Sequence, residues 1–382
     1  MIMNVNVPVL HGEELLQLLQ EKGKLCVSII LPTHRVSADR KIDKFQMEKA
    51  LDMVRQALKV KYNEEEYGPL LKKLEVLSDT VDYNHNLEGL GLYVSEDVEM
   101  MVRFPFHVEE KIMVGDNFEI RDLLQYTQIT KPYLALMVSE KQIRLFSGNG
   151  TPPKEIRGED FPMEYTETYL YNTPSRGSSQ PFNSQMRSFE HDKSHMNELR
   201  HKAFFRASDD LLKQYMIQDT PLIIMGAEKV LSWYEQETPF QQHIVGRILG
   251  NYEHASLAEI GELITEVLQK ELKHKIACLI DEFREKIGEG RGVAGIQEVW
   301  SVAGEGRGWK LIVEKDYKVP GFVRDDNPNF LLLKPVAESH KTLADAVDDI
   351  MEEILRKGGE VYIAENGELT EFDKMILITR FQ

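Results

Sequence analysis

His191, His195 and Glu198 have the residue types and the spacing of a possible metal site. On a helix, positions i, i+4 and i+7 share one face, and two imidazoles at this spacing can bind zinc. Position 192, however, is Asp rather than the glutamate of a metalloprotease helix, and no further ligand is indicated downstream. The sequence therefore predicts no metal site, and these three residues are the candidates if one exists.

A loop with unusual chemistry stands just before these residues. The tetrapeptide Gly-Ser-Ser-Gln at 177–180 follows Pro174 and lies in a stretch typical of a loop. Apolar residues from Met196 to Met216 then recur at helical spacing. A polar loop at the head of a helix, inside a larger domain, predicts a segment that reaches a partner. We call residues 175–206 the loop–helix segment.

The helical part of this segment is rich in cationic and imidazole side chains. They favour a surface that faces phosphate groups over a metal site, and a plain solvated face is the alternative. These residues are Lys193, Arg200, His201, Lys202 and Arg206.

The elements that must position this segment follow from hydrophobic periodicity. Alternating helix and strand patterns predict an α/β fold in three domains, at residues 1–128, 129–254 and 255–382. Strands are predicted at 25–31, 89–94, 99–104, 111–114, 133–138, 143–146, 221–226, 309–313, 360–364 and 375–378. Helices are predicted at 13–22, 45–58, 68–80, 191–216, 226–235, 256–288, 294–302 and 343–355. Residues 33–44 are predicted to be a polar, basic connector, residues 147–190 a long polar stretch with little regular pattern, and residues 316–334 an excursion from the fold.

Composition limits the class of protein. The chain has 382 residues and a net charge of −17, which argues against a general DNA-coating protein. No apolar run approaches the ~20 residues of a membrane-spanning helix, and no secretory signal pattern is present. We therefore expect a cytoplasmic protein without membrane or DNA partners. Cys26 and Cys278, both flanked by apolar residues, predict two reduced core thiols.

Several stretches, in order along the chain, resemble the archaeo-eukaryotic class 1 release factor and Pelota family, in particular its bacterial branch. They are Val27–Pro32, Tyr133–Val138 with Gln142–Phe146, Gly292–Val299 and Gly358–Tyr362. The resemblance implies a release-factor-like first domain and a ribonuclease-H-like middle domain that holds the loop–helix segment. It implies a third domain built as a three-layer α/β sandwich, like kink-turn-binding ribosomal proteins.

The resemblance also implies a role for the loop at 177–180. In the family, a Gly-Gly-Gln tip enters the peptidyl-transferase centre and promotes hydrolysis of peptidyl-tRNA, with the glutamine main-chain N–H helping to stabilise the leaving oxygen. Here Gln180 is present, but two serines precede it, and residues with a Cβ disfavour the positive φ that glycine permits. Gln180 is the one weak catalytic candidate, and the sequence favours a role without hydrolysis.

The family's first domain reads a stop codon through an Asn-Ile-Lys-Ser loop, which would fall near residues 33–48. No such motif is present there, so stop-codon reading is not expected. A basic connector remains, and it predicts either phosphate contacts or a solvated loop. The candidate RNA-binding residues of the whole chain are Arg35, Arg40, Lys41, Lys44, Arg176, Gly177, Ser178, Ser179, Gln180, Arg187, Lys193, Arg200, Lys202 and Arg206.

These observations predict a ribosome-associated translation factor that binds the A-site region in rescue, hibernation or stress. The expected partners are the ribosome and its RNA, with a translational GTPase as a further candidate, and no cofactor is expected. Two alternatives stay open. One is a hydrolase acting on peptidyl-tRNA or another ester through residues 177–180, and the other is a scaffold that binds proteins.

Overall fold

In a computed structural model, the described residues are 12–21, 24–34, 40–149, 153–166, 198–217, 220–324, 326–335 and 339–381. The chain divides into two units, one made of residues 1–128 and 273–382, the other of residues 129–272. Helices accompany several sheets, so the predicted α/β fold class is confirmed. The three-domain bounds drawn from the sequence stay a prediction.

The N-terminal part of the first unit is built on an antiparallel four-stranded sheet in the order β3-β2-β1-β4. Ile29 of the central strand lies opposite Leu92 on one side and Ile112 on the other. The four strands confirm the sequence prediction, because their apolar runs are short and bounded by turn residues. They are β1 (Cys26–Pro32), β2 (Gly89–Val94), β3 (Glu99–Phe104) and β4 (Lys111–Gly115).

Helices cover this sheet. Met47, Val54 and Leu58 of one helix and Leu74 of the next pack on the buried side chains of β1. The helices are α1 (Gly12–Gln20), α2 (Arg40–Lys61), α3 (Glu64–Asp79) and α4 (Arg121–Ile129). The predicted connector through residue 44 is too long, because α2 begins at Arg40 and buries Asp43 within its first turns. Helix α4 was not expected from the sequence.

The C-terminal part of the first unit has a four-stranded sheet in the order β11-β17-β12-β16. Strand β12 pairs parallel to β16 and antiparallel to β17. The sheet strands are β11 (Gly292–Ala294), β12 (Gly308–Glu314), β16 (Glu360–Ala364) and β17 (Met375–Thr379). The helices around it are α7 (Leu257–Gly288), α8 (Ile296–Gly304) and α9 (Ala346–Arg356).

The structure refines two predictions in this region. The helix expected over 294–302 begins later, because Gly295 has φ of 78° and separates β11 from α8. The excursion expected over 316–334 contains strands of a small antiparallel sheet, whose apolar alternation is interrupted by Pro320, Asp326 and Pro328. Its strands are β13 (Gly321–Arg324), β14 (Asn327–Leu332) and β15 (His340–Leu343).

Arg121 joins the two parts of the first unit. Its side chain is 1% exposed, and its guanidinium lies 2.7 Å from Asp345 Oδ2 and 2.5 Å from Asp348 Oδ1. Its Nη1 also donates to the carbonyl oxygen of Tyr317 at 2.6 Å. A buried cation with two carboxylates and a carbonyl is fully compensated, so Arg121 of α4 fixes the N-terminal part to the start of α9.

The second unit is a mixed sheet in the order β10-β9-β5-β6-β7, with β8 also paired to β6. Strands β5, β9 and β10 are parallel, while β6 and β7 run antiparallel to their neighbours. The strands are β5 (Tyr133–Val138), β6 (Gln142–Gly148), β7 (Lys154–Ile156), β8 (Met163–Glu164), β9 (Leu222–Gly226) and β10 (Ile244–Leu249).

Both faces of this sheet are covered, which explains the continuous apolar runs of β5 and β9. Leu136 and Ile224 pack with Phe204 of α5 (residues 198–212) and Tyr234 of α6 (Glu228–Glu237). On the other face, the sheet packs against Ile260 and Ile264 of α7. The loop expected over 147–190 contains β7 and β8, so that prediction is wrong where the structure describes the chain.

The structure also tests the predictions for the two cysteines and for membrane-spanning helices. Cys26 is buried, but Cys278 is exposed, so the prediction of two core thiols is wrong for Cys278. Its position lies off the buried stripe that Ile276, Leu279 and Phe283 form along α7. Among the described residues, no helix is both long enough and apolar enough to span a bilayer.

Candidate nucleic-acid interface

Much of the loop–helix segment lies outside the described residues. The predicted site residues concerned are Arg176, Gly177, Ser178, Ser179, Gln180, Arg187, His191, Lys193 and His195. The described part of the segment is the start of α5, which includes Glu198, Arg200, Lys202 and Arg206.

The inner side of α5 is fixed in the core of the second unit. Phe204, Phe205 and Leu212 are fully buried against the sheet and α6. His201, predicted to lie on the phosphate-facing surface, is 8% exposed, and its ring stacks on Tyr165 with centroids 4.8 Å apart. That prediction is wrong for His201, because its ring completes an aromatic cluster rather than meeting solvent.

Lys202 faces two carboxylates from within the same unit. Its Nζ lies 3.0 Å from Glu198 Oε1 and 3.4 Å from Glu237 Oε1. The hydrogen bond to Glu198 is the main cause of a raised pKa for the Lys202 ammonium, and the bond to Glu237 adds to it. Glu198, a candidate metal ligand by sequence, therefore serves as an ion-pair partner. Across the part of the chain that the structure describes, no group of three or more potential metal ligands is found.

Arg206 pairs with the same α6 residue. Its Nε donates to Glu237 Oε2 at 2.8 Å, while the side chain stays 67% exposed. Glu237 thus bridges Lys202 and Arg206, one turn apart on α5. Arg200 is half-buried, and within the described ranges no ion pair involves it. Two of the three predicted cations that can be located on α5 are already balanced by protein carboxylates.

A buried carboxylate ties α5 to α6. Asp209 is 2% exposed, and Tyr234 donates its hydroxyl proton to Asp209 Oδ1 at 2.6 Å. Burial raises the pKa of Asp209 to about 6, against the opposing effect of the Tyr234 hydrogen bond. Oδ2 is buried without a hydrogen-bond partner in the described structure. The α5–α6 contact therefore holds a carboxyl group that gains a proton near pH 6.

The second predicted surface, the basic connector, ends in α2. Arg35 lies outside the described residues, and Arg40 and Lys41 occupy the first turn of α2. Lys44 is exposed, and no ion pair to it is found in the described ranges. Its neighbour Asp43 is buried instead, and its carboxylate accepts the backbone N–H of His34 at 3.0 Å. This bond fixes the end of β1 to the start of α2.

The Asp43 carboxylate has a second partner in the His34 ring, whose Nδ1 lies 2.7 Å from Oδ1. Sequence reasoning treated position 43 as part of a solvated connector and missed this anchor. The only signal in the sequence is position: residue 43 lies four residues, about one helical turn, before Met47 and so on the same face of the helix.

Residues 132–307 match the model of the bacterial archaeo-eukaryotic release factor family 3. The match covers a little under half of the chain, and over this segment the chain is similar to the bacterial archaeo-eukaryotic release factor family. The release-factor match begins just before β5, includes the whole loop–helix segment, and ends just before β12. The family predicted from the sequence is thereby confirmed. No curated protein matches the chain.

Solved structures with a likeness to this chain include two Pelota proteins and Dom34. Pelota of Archaeoglobus fulgidus is 14% identical, with 77% of this chain and 84% of that chain covered and a TM-score of 0.37. Saccharomyces cerevisiae Dom34, described as a translation termination-like factor interacting with Hbs1, is 14% identical over 75% and 74% of the two chains, with a TM-score of 0.35. A ribosome-bound archaeal Pelota, in a structure that also includes ABCE1, is 12% identical over 97% and 94%, with a TM-score of 0.37.

Part of the ion pairing on α5 was visible in the sequence. Glu198 and Lys202 are four residues apart, the spacing at which helical side chains of opposite charge meet. Glu237 gave no local signal, because it reaches α5 only through the packing of α6 on the same sheet. The sequence therefore overstated the free positive charge of α5.

Proposed function

We propose that this protein is a ribosome-associated translation factor that binds the ribosomal A-site region. The observation that supports the proposal is the family match over 132–307, because it includes the entire loop–helix segment. In this proposal, α5 is the fixed base of that segment, held by Phe204 and Phe205 in the core and by the Asp209–Tyr234 hydrogen bond.

Within this function, we propose rescue, hibernation or stress binding rather than termination. The sequence around residues 33–48 lacks the family's codon-reading motif, and serines precede Gln180. A factor that binds without reading a stop codon would act on ribosomes whose A site is empty. A translational GTPase is a further proposed partner, from the family resemblance.

The test of ribosome binding is co-sedimentation of the full chain through a sucrose cushion. We expect the protein to pellet with ribosomes from stationary-phase cells, and binding to weaken as salt rises from about 50 to about 200 mM, because phosphate contacts release counterions. An equal amount of protein in the supernatant with and without ribosomes would contradict the proposal and favour the protein-binding scaffold.

The second candidate function is ester hydrolysis, which the presence of Gln180 favours. Ribosomes carrying labelled peptidyl-tRNA separate the two functions. We expect no release of labelled peptide by the wild-type chain beyond the spontaneous rate. Release that the wild-type chain accelerates and Gln180→Ala abolishes would establish the hydrolase, with Gln185→Ala as the matched amide control.

A further inference from the structure

The outer face of α2 has properties that the proposed function has not used. The helix has seven Lys and Arg residues against three Asp and Glu residues, in a chain whose net charge is −17. It also displays apolar side chains to solvent: Ile42 is 49% exposed, Phe45 66% and Val60 84%. A helix with a net positive charge and exposed apolar side chains, on an acidic protein, suits a polyanionic partner that also offers flat apolar surface.

Phe45 is the centre of this face. Its helix position lies opposite the buried stripe of Met47, Val54 and Leu58, so the ring points away from the sheet. In the described part of the chain, no aromatic or cation contact to the Phe45 ring is found. An exposed phenylalanine ring without a partner is a platform on which a nucleobase can stack.

Two exposed lysines lie near the ring. Lys49 is four residues on, so the Cβ atoms of Phe45 and Lys49 lie about 6 Å apart, and Lys44 is adjacent in sequence, about 100° further round the helix. Lys49 approaches Glu110 only at 4.0 Å and keeps 59% of its side chain exposed. One nucleotide can therefore stack its base on the ring while its phosphate faces an ammonium group.

Two acidic side chains also lie on this face. Asp52 is engaged by Arg55, and Glu48 is exposed. Together with the lysines they interrupt the apolar positions, so the face cannot enter a bilayer without burying carboxylates in the headgroup region. This pattern argues against insertion of the face into a bilayer.

We propose that the outer face of α2 binds a single-stranded segment of RNA, with Phe45 stacking on a base and Lys44 and Lys49 facing phosphates. The inference deepens the proposed function, since the RNA available to a ribosome-bound factor is ribosomal or messenger RNA. Unpaired RNA is the form whose bases are free to stack on an aromatic side chain.

The test is an anisotropy titration of the full chain against a fluorescein-labelled single-stranded RNA of about 16 nucleotides. We expect Phe45→Ala to weaken binding about tenfold and Phe45→Trp to keep it, because stacking on one aromatic ring contributes this much. The new tryptophan should be quenched on binding. Phe330→Ala is the matched control, since Phe330 is 52% exposed on β14, which belongs to a different sheet from the one that α2 covers, and it should leave affinity unchanged.

Equal affinity of wild type and Phe45→Ala for the oligonucleotide would overturn the inference, and so would binding of the wild type to phosphatidylserine vesicles but not to RNA. Phe45 is exposed, so its truncation should not unfold the protein, and circular dichroism checks this. RNA binding that needs Phe45, combined with no ribosome pelleting, would uphold the inference and contradict the proposed function. Ribosome pelleting combined with equal RNA affinity of wild type and Phe45→Ala would support the proposed function and contradict the inference.

Discussion

Helices α2 and α5 both have predicted RNA-binding cations, but Lys44 of α2 has different surroundings from Lys202 and Arg206 of α5. On α5, Lys202 and Arg206 share the carboxylate of Glu237. On α2, Lys44 is exposed and, in the described structure, has no carboxylate partner. The comparison teaches that the sequence count of lysines and arginines does not measure the charge available to a polyanion, because long-range packing decides which cations are neutralised.

Arg121 is buried with two carboxylates, so the loss of its charge should have the largest effect on stability. Arg121→Met should lower the free energy of unfolding of the first unit by about 3–5 kcal/mol, because it leaves Asp345 and Asp348 buried without a counter-charge. Urea denaturation followed by circular dichroism measures this. Arg206→Met, at an exposed pair, should cost at most about 1 kcal/mol. Equal urea midpoints for the two variants would contradict the assignment of Arg121.

Charge changes on the two helices should have unequal effects on RNA binding. Lys44→Glu combined with Lys49→Glu should weaken binding of the single-stranded oligonucleotide about thirtyfold and flatten its salt dependence, since two phosphate contacts are lost. Lys202→Gln combined with Arg206→Gln should weaken it less than about threefold, because those cations already face Glu237. A larger loss of RNA affinity in the α5 double variant than in the α2 double variant would contradict the comparison.

The buried carboxyl of Asp209 makes α5 sensitive to pH. Its pKa is raised in the folded state to about 6, so the folded chain binds the proton more tightly than the unfolded chain. Protonation of Asp209 therefore stabilises the fold at low pH, and this stabilisation is lost as pH rises through about 6. Asp209→Asn should raise stability by about 1–2 kcal/mol at about pH 7.5 and remove this dependence. Thermal melts at pH values from about 5 to about 8 measure both effects.

If the Asp209→Asn and wild-type melting temperatures stay parallel across that range, the carboxyl does not titrate there. Tyr234→Phe is the companion variant, because it removes the hydroxyl donor to Asp209 without changing the shape of the ring. It should lower stability most at high pH, where the carboxylate is charged.

The smallest effect is expected at Glu237. Glu237→Gln should cost about 1 kcal/mol in stability, because it removes one partly exposed carboxylate shared by two cations. It should also make α5 more like α2, so the oligonucleotide should bind a few-fold more tightly and with a steeper salt dependence. Glu235→Gln, on the same helix and paired with Arg247, is the control. Unchanged RNA binding in Glu237→Gln would mean that α5 lies away from RNA.

The fold was predictable where one local pattern dominated. Strands β1, β5 and β9 are continuous apolar runs, and the stripe from Leu263 to Phe283 defines α7, so periodicity alone located them. Strand β10 was missed because Gly246 and Arg247 interrupt its run, and its pairing with β9 supplies what the local sequence lacks.

The candidate interface was predictable to a lesser degree. The sequence identified Lys44 and the start of α5, but it placed His201 on the surface, where the structure buries it beside Tyr165. It also gave no sign that Phe45 is exposed, since a phenylalanine in an amphipathic helix normally faces the core. Burial and ion pairing are properties of the assembled sheet and helices, and one helix seen alone does not show them.

Ribosome pelleting with a controlled A site tests the proposed function. Ribosomes with tRNA in the P site are prepared with the A site either empty or filled by a second tRNA, and the bound fraction of the full chain is measured for each. We predict that the protein pellets with the empty-A-site ribosomes and that a filled A site displaces it. The same bound fraction on both preparations would contradict binding in the A-site region.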